Sequence, residues 1–304
     1  MLGKTPVFLL LDDFYFVRKT DQSKLIDYLH RLAKGTQLFL KLATIKHRTK
    51  LYTQTEESYV GVEVGHDIQE IDMDYTLDKF DDLKRFMRQL LLRAADESNV
   101  SLKVKELFAG EGFNQLCLAS GGVPRDFLAL FVRLANQVVV GDAESIGKVL
   151  VNEAAIANIG NKYESMRADS AKERDALERC LDFIKNFVYD EKRTNAFLVS
   201  KPDLAEYPYE RQAIKELVDL RLIHLIDENT SKAPSDGLRY EAYMLDVGLY
   251  DNSRPRNFKQ IQPGSKDEKS RKDALRASPK LDLGSLQTLL RNMQTNLELS
   301  EFSA

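Results

Sequence analysis

The chain has 304 residues, of which 43% are hydrophobic and 30% are charged, and its formal net charge is −3. That length accommodates two or three compact units, and the composition is typical of a globular domain protein. No stretch reaches the roughly 20 apolar residues of a membrane helix, and no signal peptide precedes the first strand. Cys117 and Cys180 are too isolated for a disulfide framework. We therefore expect a cytoplasmic protein without a membrane partner.

The first predicted element is a strand over residues 7–11, where five consecutive apolar residues run into Asp12 and Asp13. Such a run is typical of a strand that is buried on both faces of a parallel sheet. Open α/β sheets bind ligands at the carboxyl ends of their strands. In nucleotide hydrolases one acid, here Asp12, holds Mg²⁺, and the next, here Asp13, orients or activates the attacking water. The alternative is an acidic turn after a buried strand.

A helix over about residues 21–34 and a second strand over 37–43 follow, which completes a βαβ unit. The carboxyl ends of its parallel strands share one edge of the sheet, so Thr44 should lie beside the two acids. Thr44 could bond the attacking water or a γ-phosphate, and Arg48 could stabilise charge on a transferred phosphoryl group. A solvated strand end is the alternative interpretation.

Short β structure is expected over residues 51–74, after which Thr76 is predicted to cap the first of the helices that continue to about residue 166. Among these helices lies the turn Gly121-Gly-Val-Pro-Arg125. Its glycines stop one helix, and Pro124 suits the first turn of the next. Arg125 would then project from a helix N-terminus toward an anion. Helix capping alone also explains such a turn.

The order helix, strand, helix, helix, hairpin over residues 172–245 is typical of a winged helix, which places a helix in the DNA major groove when it binds DNA. The candidate recognition helix, residues 209–220, has a balanced charge, which is poor for phosphate binding. Contacts with protein are at least as well supported. The charges that balance in and beside this helix are Arg211, Lys215 and Arg221 against Glu210, Glu216 and Asp219.

Residues 254–280 carry an excess of six positive charges and few apolar side chains. This composition predicts a flexible linker, or a loose nucleic-acid contact. Leucines and a methionine then repeat at helical spacing from Leu286 to Leu297. We expect a short amphipathic helix there, which docks on this chain or on a partner.

Taken together and in this order, the motifs resemble the distal part of an AAA+/STAND-type P-loop ATPase, closest to the origin-recognition-like (initiator-like) branch. Asp12 and Asp13 match Walker B, Thr44 to Arg48 match sensor 1 and its loop, and Gly121 to Arg125 match the lid motif. The resemblance implies that Pro124 touches the adenine side and that Arg125 is sensor 2. It also implies ATP and Mg²⁺ as cofactors, and a lid that reports nucleotide state to attached domains.

The sequence departs from that family in two places. The 304 residues contain no Walker A loop, because Gly3-Lys4-Thr5 is followed by Pro6 and a strand instead of a helix. Walker B in AAA+ proteins commonly ends Asp-Glu, whereas Asp13 is one methylene shorter, as in many STAND proteins. We therefore expect ATP and Mg²⁺ to bind only if a phosphate-binding loop is supplied, and the chain alone to be inactive. Three explanations fit the missing loop: the chain is a fragment, its start is misplaced, or it is a product that has lost catalysis.

The predicted fold class is α/β, with a partial P-loop NTPase core followed by an α-helical lid and a winged-helix domain. Its predicted domains are the core (1–74), the lid (75–167), the winged helix (168–258) and a basic flexible tail with a short amphipathic helix (259–304). The predicted function is a nucleotide-dependent switch. The alternative is a non-catalytic regulatory protein that uses the lid and winged helix to bind DNA or protein. The sequence leaves three kinds of partner open: DNA, bound through the winged helix and tail; another protein; or a second copy of this chain.

Overall fold

The computed structural model describes residues 5–54, 59–71, 73, 77–141, 143–167, 171–250, 255–264 and 272–291. Their fold is mixed α/β with small sheets, which confirms the predicted class at this level. The chain divides into two compact units, Met1–Met73 and Asp74–Ala304. No helix in the described ranges has the length and apolar character needed to cross a membrane.

Unit 1 is built on a strand–helix–strand unit, as the sequence predicts. Its two main strands are parallel, in the register Val7 opposite Leu38 to Leu11 opposite Leu42. A short antiparallel pair follows them. The elements are β1 (Val7–Leu11), α1 (Lys19–Ala33), β2 (Leu38–Leu42), β3 (Tyr52–Gln54) and β4 (Tyr59–Gly61), with 3₁₀ turns at Phe14–Phe16 and Lys46–Arg48.

The expectation that β1 is buried on both faces is wrong for this sheet. One face, with Leu40 and Leu42, packs against a small core around Ile26 of α1. On the other face Leu10 is 69% exposed, and the rings of Phe8 and Phe39 stack with their centroids 5.5 Å apart while both stay about half exposed. Because side chains alternate along a strand, a helix on one side covers only every second residue.

Unit 2 begins with helices, as predicted, and α5 starts with Pro124 at its first position. The predicted cap Thr76 lies outside the described residues. The helices of unit 2 are α2 (Phe80–Glu97), α3 (Val104–Leu107), α4 (Gly112–Ala119), α5 (Pro124–Val140), α6 (Lys148–Arg167), α7 (Ala171–Lys185), α8 (Lys201–Glu206), α9 (Pro208–Asp219), α10 (Asp273–Arg276) and α11 (residues 283–291).

A three-stranded antiparallel sheet joins two hydrophobic cores in unit 2. It consists of β5 (Ala196–Ser200), β6 (Ile223–Thr230) and β7 (Tyr240–Leu245), in the order β5-β7-β6. Alternate residues of β5 enter different cores: Leu198 enters the bundle core, formed largely with α2, α4 and α5, and Phe197 enters the sheet core, formed with α7 and α9. Both faces of this sheet are therefore covered.

The C-terminal segment packs along β5, which corrects the prediction of flexible chain for residues 259–264 and 272–280, whereas the helix over residues 283–291 agrees with the amphipathic helix predicted from Leu286. Leu198 N donates to the Pro279 carbonyl and Leu281 N donates to the Leu198 carbonyl, each at 2.8 Å. The segment thus caps an open sheet edge with backbone hydrogen bonds. Four of its leucines are buried in the sheet core: Leu281, Leu283, Leu286 and Leu290.

Three basic residues of this segment form ion pairs within the chain. Their ion-pair partners are acids from other elements or from the same turn: Lys272 with Asp227, Arg276 with Asp273 and Lys280 with Asp203. The described part of the basic stretch 254–280 is therefore not a solvated tether. The helix α11 docks on its own chain. Residues 254, 265–271 and 292–304, including Met293 and Leu297, lie outside the described part.

Candidate functional site

The predicted acidic site lies at one edge of the β1–β2 sheet. Asp12 and Asp13 directly follow β1, and Thr44 comes two residues after β2. Ala43 N donates to the Leu11 carbonyl at 2.8 Å, and Phe14 N donates to the Ala43 carbonyl at 3.2 Å. These bonds hold the two strand ends side by side, so the structure places the acids and the Thr44 loop at a common edge.

Asp13 has a backbone conformation that a non-glycine residue seldom adopts. Its φ of 51° and ψ of 37° are left-handed, and its backbone N–H donates to Asp12 Oδ1 at 2.9 Å. Such a conformation costs on the order of 1–3 kcal/mol, and strain of this kind clusters at ligand sites. Both carboxylates are exposed. Exposed carboxylate oxygens suit Mg²⁺, which keeps most of its waters and is bound through one or two carboxylates and substrate phosphates.

Thr44 is oriented by its neighbour Thr49. The Thr49 hydroxyl donates to the Ile45 carbonyl at 2.7 Å, so in the short bond between the two hydroxyls Thr44 is the donor. The Thr44 oxygen then offers lone pairs as an acceptor. This geometry suits a bond from water at the sheet edge.

Gln22 of α1, which was not predicted as a site residue, positions the same loop. Its side chain is fully buried, and Oε1 accepts from Lys50 N while Nε2 donates to the Val17 carbonyl, both at 2.7 Å. A glutamine on the inner face of an amphipathic helix was the one available clue. Arg48 places its guanidinium 5.7 Å from the ring centroid of Tyr15, which follows Asp13 by two residues in the chain.

The second predicted site is the turn before α5, in unit 2. Gly121 and Gly122 have φ values of 59° and 86°, which favour glycine, and Val123 precedes the helix in an extended conformation. Arg125 follows Pro124 and is exposed, and within the described part of the chain its side chain makes no hydrogen bond or ion pair. A free guanidinium at the N-terminus of a 17-residue helix is well placed for an anion.

Behind this turn lies a buried polar network that the sequence analysis did not predict. Asp246 Oδ2 accepts from Lys162 Nζ at 2.6 Å and bonds to His224 Nε2 at 2.8 Å. All three side chains are at most 6% exposed. Burial alone would raise the pKa of Asp246, but the Lys162 charge and the His224 hydrogen bond outweigh it and hold that pKa below its ordinary value. His224 lies within β6, Asp246 directly follows β7 and Lys162 lies on α6, so no single stretch of sequence indicates the network.

Unit 2 also contains two buried cysteines and a groove lined by charged side chains. Burial raises the pKa of the Cys117 and Cys180 thiols to about 12, so neither is a nucleophile at neutral pH. An open groove of about 450 Å³ is lined by Asp81, Lys84, Arg85, Arg88 and Asn114, none of which the sequence analysis singled out. Among the described side chains, no group of three or more His, Cys, Asp or Glu could hold a metal ion.

Comparisons of this chain with protein-family models, with curated proteins and with solved structures found no match.

Proposed function

We propose that the chain is the distal part of a nucleotide-dependent switch of the AAA+/STAND type. The observation that carries this proposal is the common edge at which Asp12, Asp13 and Thr44 follow two parallel strands. In the proposed site Asp12 helps to hold hydrated Mg²⁺, Asp13 orients or activates the attacking water, and Thr44 accepts from that water. Arg48 adds a positive charge for the transferred phosphoryl group.

The glycine turn supplies the proposed sensor. Arg125 is exposed and has no partner in the described chain, so a phosphate oxygen can reach it. Pro124 fixes the first turn of α5 and is proposed to lie on the adenine side. Because Asp126 is paired with Arg221 at 2.6 Å, the turn has one charged contact inward and one free arginine outward. That division suits a ligand sensor linked to the body of unit 2.

ATP binding needs backbone N–H groups and a lysine around the phosphates, which a Walker A loop provides. The 304 residues contain no such loop, so we propose that ATP is held only when the loop comes from outside them. The proposed winged helix comprises α7, β5, α8, α9, β6 and β7. Their order along the chain and the strand order β5-β7-β6 support this assignment.

ATP turnover tests the proposal. We expect no turnover from residues 1–304 alone, and turnover from a protein in which a phosphate-binding loop precedes them. Asp13→Ala should abolish that activity, because the group that orients the water is lost. Asp21→Ala is the matched control, since the Asp21 carboxylate on α1 is 38% exposed and pairs with Arg18 at 2.8 Å. Robust hydrolysis by the short chain that Asp13→Ala abolishes would overturn the need for the loop.

A second candidate function, a non-catalytic regulator, is favoured by how the proposed recognition helix uses its charges. Lys215 pairs with Glu241 at 2.7 Å and Arg221 pairs with Asp126, so both are held inside unit 2. Of the three basic side chains counted from the sequence, this leaves Arg211 exposed on α9. A helix with few basic side chains available to phosphates is better suited to protein contacts than to DNA binding.

DNA binding by the chain should accordingly be weak and non-specific. We expect duplex affinity to fall steeply with salt and no sequence to be preferred by the roughly thousandfold typical of specific binders. Anisotropy titrations at two salt concentrations, on two unrelated duplexes, measure this. A deletion after Phe258 is unsuitable as a control, because it removes buried leucines, whereas Arg211→Ala tests the helix directly. A strong preference for one duplex that is lost in Arg211→Ala would contradict this prediction and show that α9 recognises DNA sequence.

A further inference from the structure

Two contacts join the glycine turn to the start of β6. A Cβ atom added to Gly121 would lie 2.5 Å from Cε1 and 3.0 Å from Nδ1 of His224, so the turn rests directly on the imidazole ring. Five residues further on, in the first turn of α5, Asp126 pairs with Arg221, just before β6. The turn is thus bound to one short stretch of chain, residues 221–224, by a packing contact and by an ion pair.

The imidazole ring of His224 is held in place by a hydrogen bond to Asp246. An ionised Asp246 can only accept, so Nε2 of His224 is the donor to Asp246 Oδ2. The other Asp246 oxygen accepts from Gly248 N at 2.9 Å. Lys162 of α6 donates to the same carboxylate and, at 3.1 Å, to the Arg221 carbonyl. The ring that supports Gly121 is therefore held by Asp246, directly after β7, and Asp246 is held in turn by Lys162 of α6.

We infer that His224 is a positioning residue, which fixes the 121–125 turn on the sheet and couples the position of Arg125 to the β6–β7 hairpin. The coupling of ligand occupancy to the hairpin rests on the proposed function; the positioning of the turn does not. A packed contact against a glycine has little room to adjust, because neither the ring nor the backbone has a flexible end. A displacement of the turn therefore displaces His224 or breaks the contact.

Amide hydrogen exchange tests the positioning directly. Val123 N donates to the Ser120 carbonyl and Gly121 N donates to the Leu118 carbonyl, both at 3.0 Å, so these amides report on the turn. The amide of Ile146, bonded to the Leu107 carbonyl at 2.8 Å, reports on the bundle. We expect His224→Ala to raise exchange in the turn by about tenfold relative to Ile146. Equal acceleration at all three amides would overturn the inference.

Two further variants separate the contact from general stability. His224→Phe keeps a flat ring against Gly121 and should restore much of the protection in the turn, whereas His224→Gln keeps a donor for Asp246 but not the ring, and should not. Lys215→Ala is the matched control, since it breaks an ion pair at the other face of the same sheet. If Lys215→Ala opens the turn as much as His224→Ala does, the effect is general and the inference fails.

A double-mutant cycle is independent of the exchange readout. Gly121→Ala is costly in the wild-type background, because φ is 59° and the new methyl meets the His224 ring. In a His224→Ala background the clash is relieved and only the backbone strain remains. The shift in denaturation midpoint caused by Gly121→Ala should therefore be smaller in that background. Equal shifts in both backgrounds would show that the contact positions nothing.

A last measurement distinguishes failure of this inference from failure of the proposed function. In a protein that carries the phosphate-binding loop, Mg²⁺·ATP should change exchange in β6 and β7, and His224→Ala should remove that change while ATP still binds. If ATP causes no change in wild type although the turn depends on His224, the nucleotide proposal fails and the positioning stands. If the change survives His224→Ala, the coupling is wrong.

Discussion

Replacing Leu286 with alanine should lower the free energy of unfolding of unit 2 by about 2–5 kcal/mol, the usual cost of truncating a buried leucine. Leu286 is fully buried in the sheet core, on the helix that follows the edge pairing at Leu281. Urea unfolding followed by circular dichroism measures the change. The large effect arises because α11 belongs to the core.

Leu289→Ala is the matched control for this prediction. Leu289 lies on the same helix but is 36% exposed. Its replacement should cost well under half as much, because less apolar surface leaves water on folding. Equal and small effects for both variants would contradict the docked position of α11 and return the C-terminal segment to the flexible tail expected from its charges.

Asp246→Asn should cost about 3–5 kcal/mol, since it leaves the buried Lys162 ammonium without a counter-charge. Glu106→Gln is the control, because the side chains of the Glu106–Lys103 pair are both 69% exposed and the pair is worth about 1 kcal/mol or less. Denaturant titrations of the two variants at pH 7 compare these costs. Similar losses for both would show that the buried network has no special weight.

The Asp246 carboxylate also predicts that the free energy of unfolding falls at acid pH. The pKa of Asp246 in the folded state lies below the ordinary value of 3.8 expected in the unfolded chain. The unfolded state therefore binds the proton first, so the contribution of Asp246 is complete above about pH 5 and is lost as the pH falls below 3.8 toward the folded-state pKa. Asp246→Asn should flatten stability in that window. An unchanged slope would contradict the lowered pKa.

The local elements were predictable from sequence where local chemistry decides them. Pro124 starts α5, and Gly35, with a φ of 75°, follows the end of α1. The strand–helix–strand order of unit 1 followed from short apolar runs separated by a helical pattern. The edge at which Asp12 and Thr44 meet then followed from parallel pairing alone, without any knowledge of side-chain contacts.

The structural features that the sequence did not indicate depend on contacts between residues that are far apart in the chain. Lys272 and Lys280 count as solvated charges in a composition window, but each pairs with an acid that is more than 40 residues away in the chain. The apolar run of β1 does not tell how many layers cover it, and in the described sheet one face of β1 stays open. The Lys162–Asp246 pair joins two ordinary surface-type residues across the fold, so no local pattern announces it.

The proposal that Arg125 senses the terminal phosphate of a nucleotide is tested most directly by comparing the dissociation constants of ATP and ADP. The protein would carry the phosphate-binding loop, with and without Arg125→Ala. A charge-assisted hydrogen bond contributes about 1.5–3 kcal/mol, so the variant should bind ATP about 10- to 150-fold more weakly and ADP almost unchanged. Its melting temperature should stay near that of wild type, because Arg125 is exposed and unpaired in the described chain. Equal weakening for both nucleotides, or none for ATP, would contradict the claim.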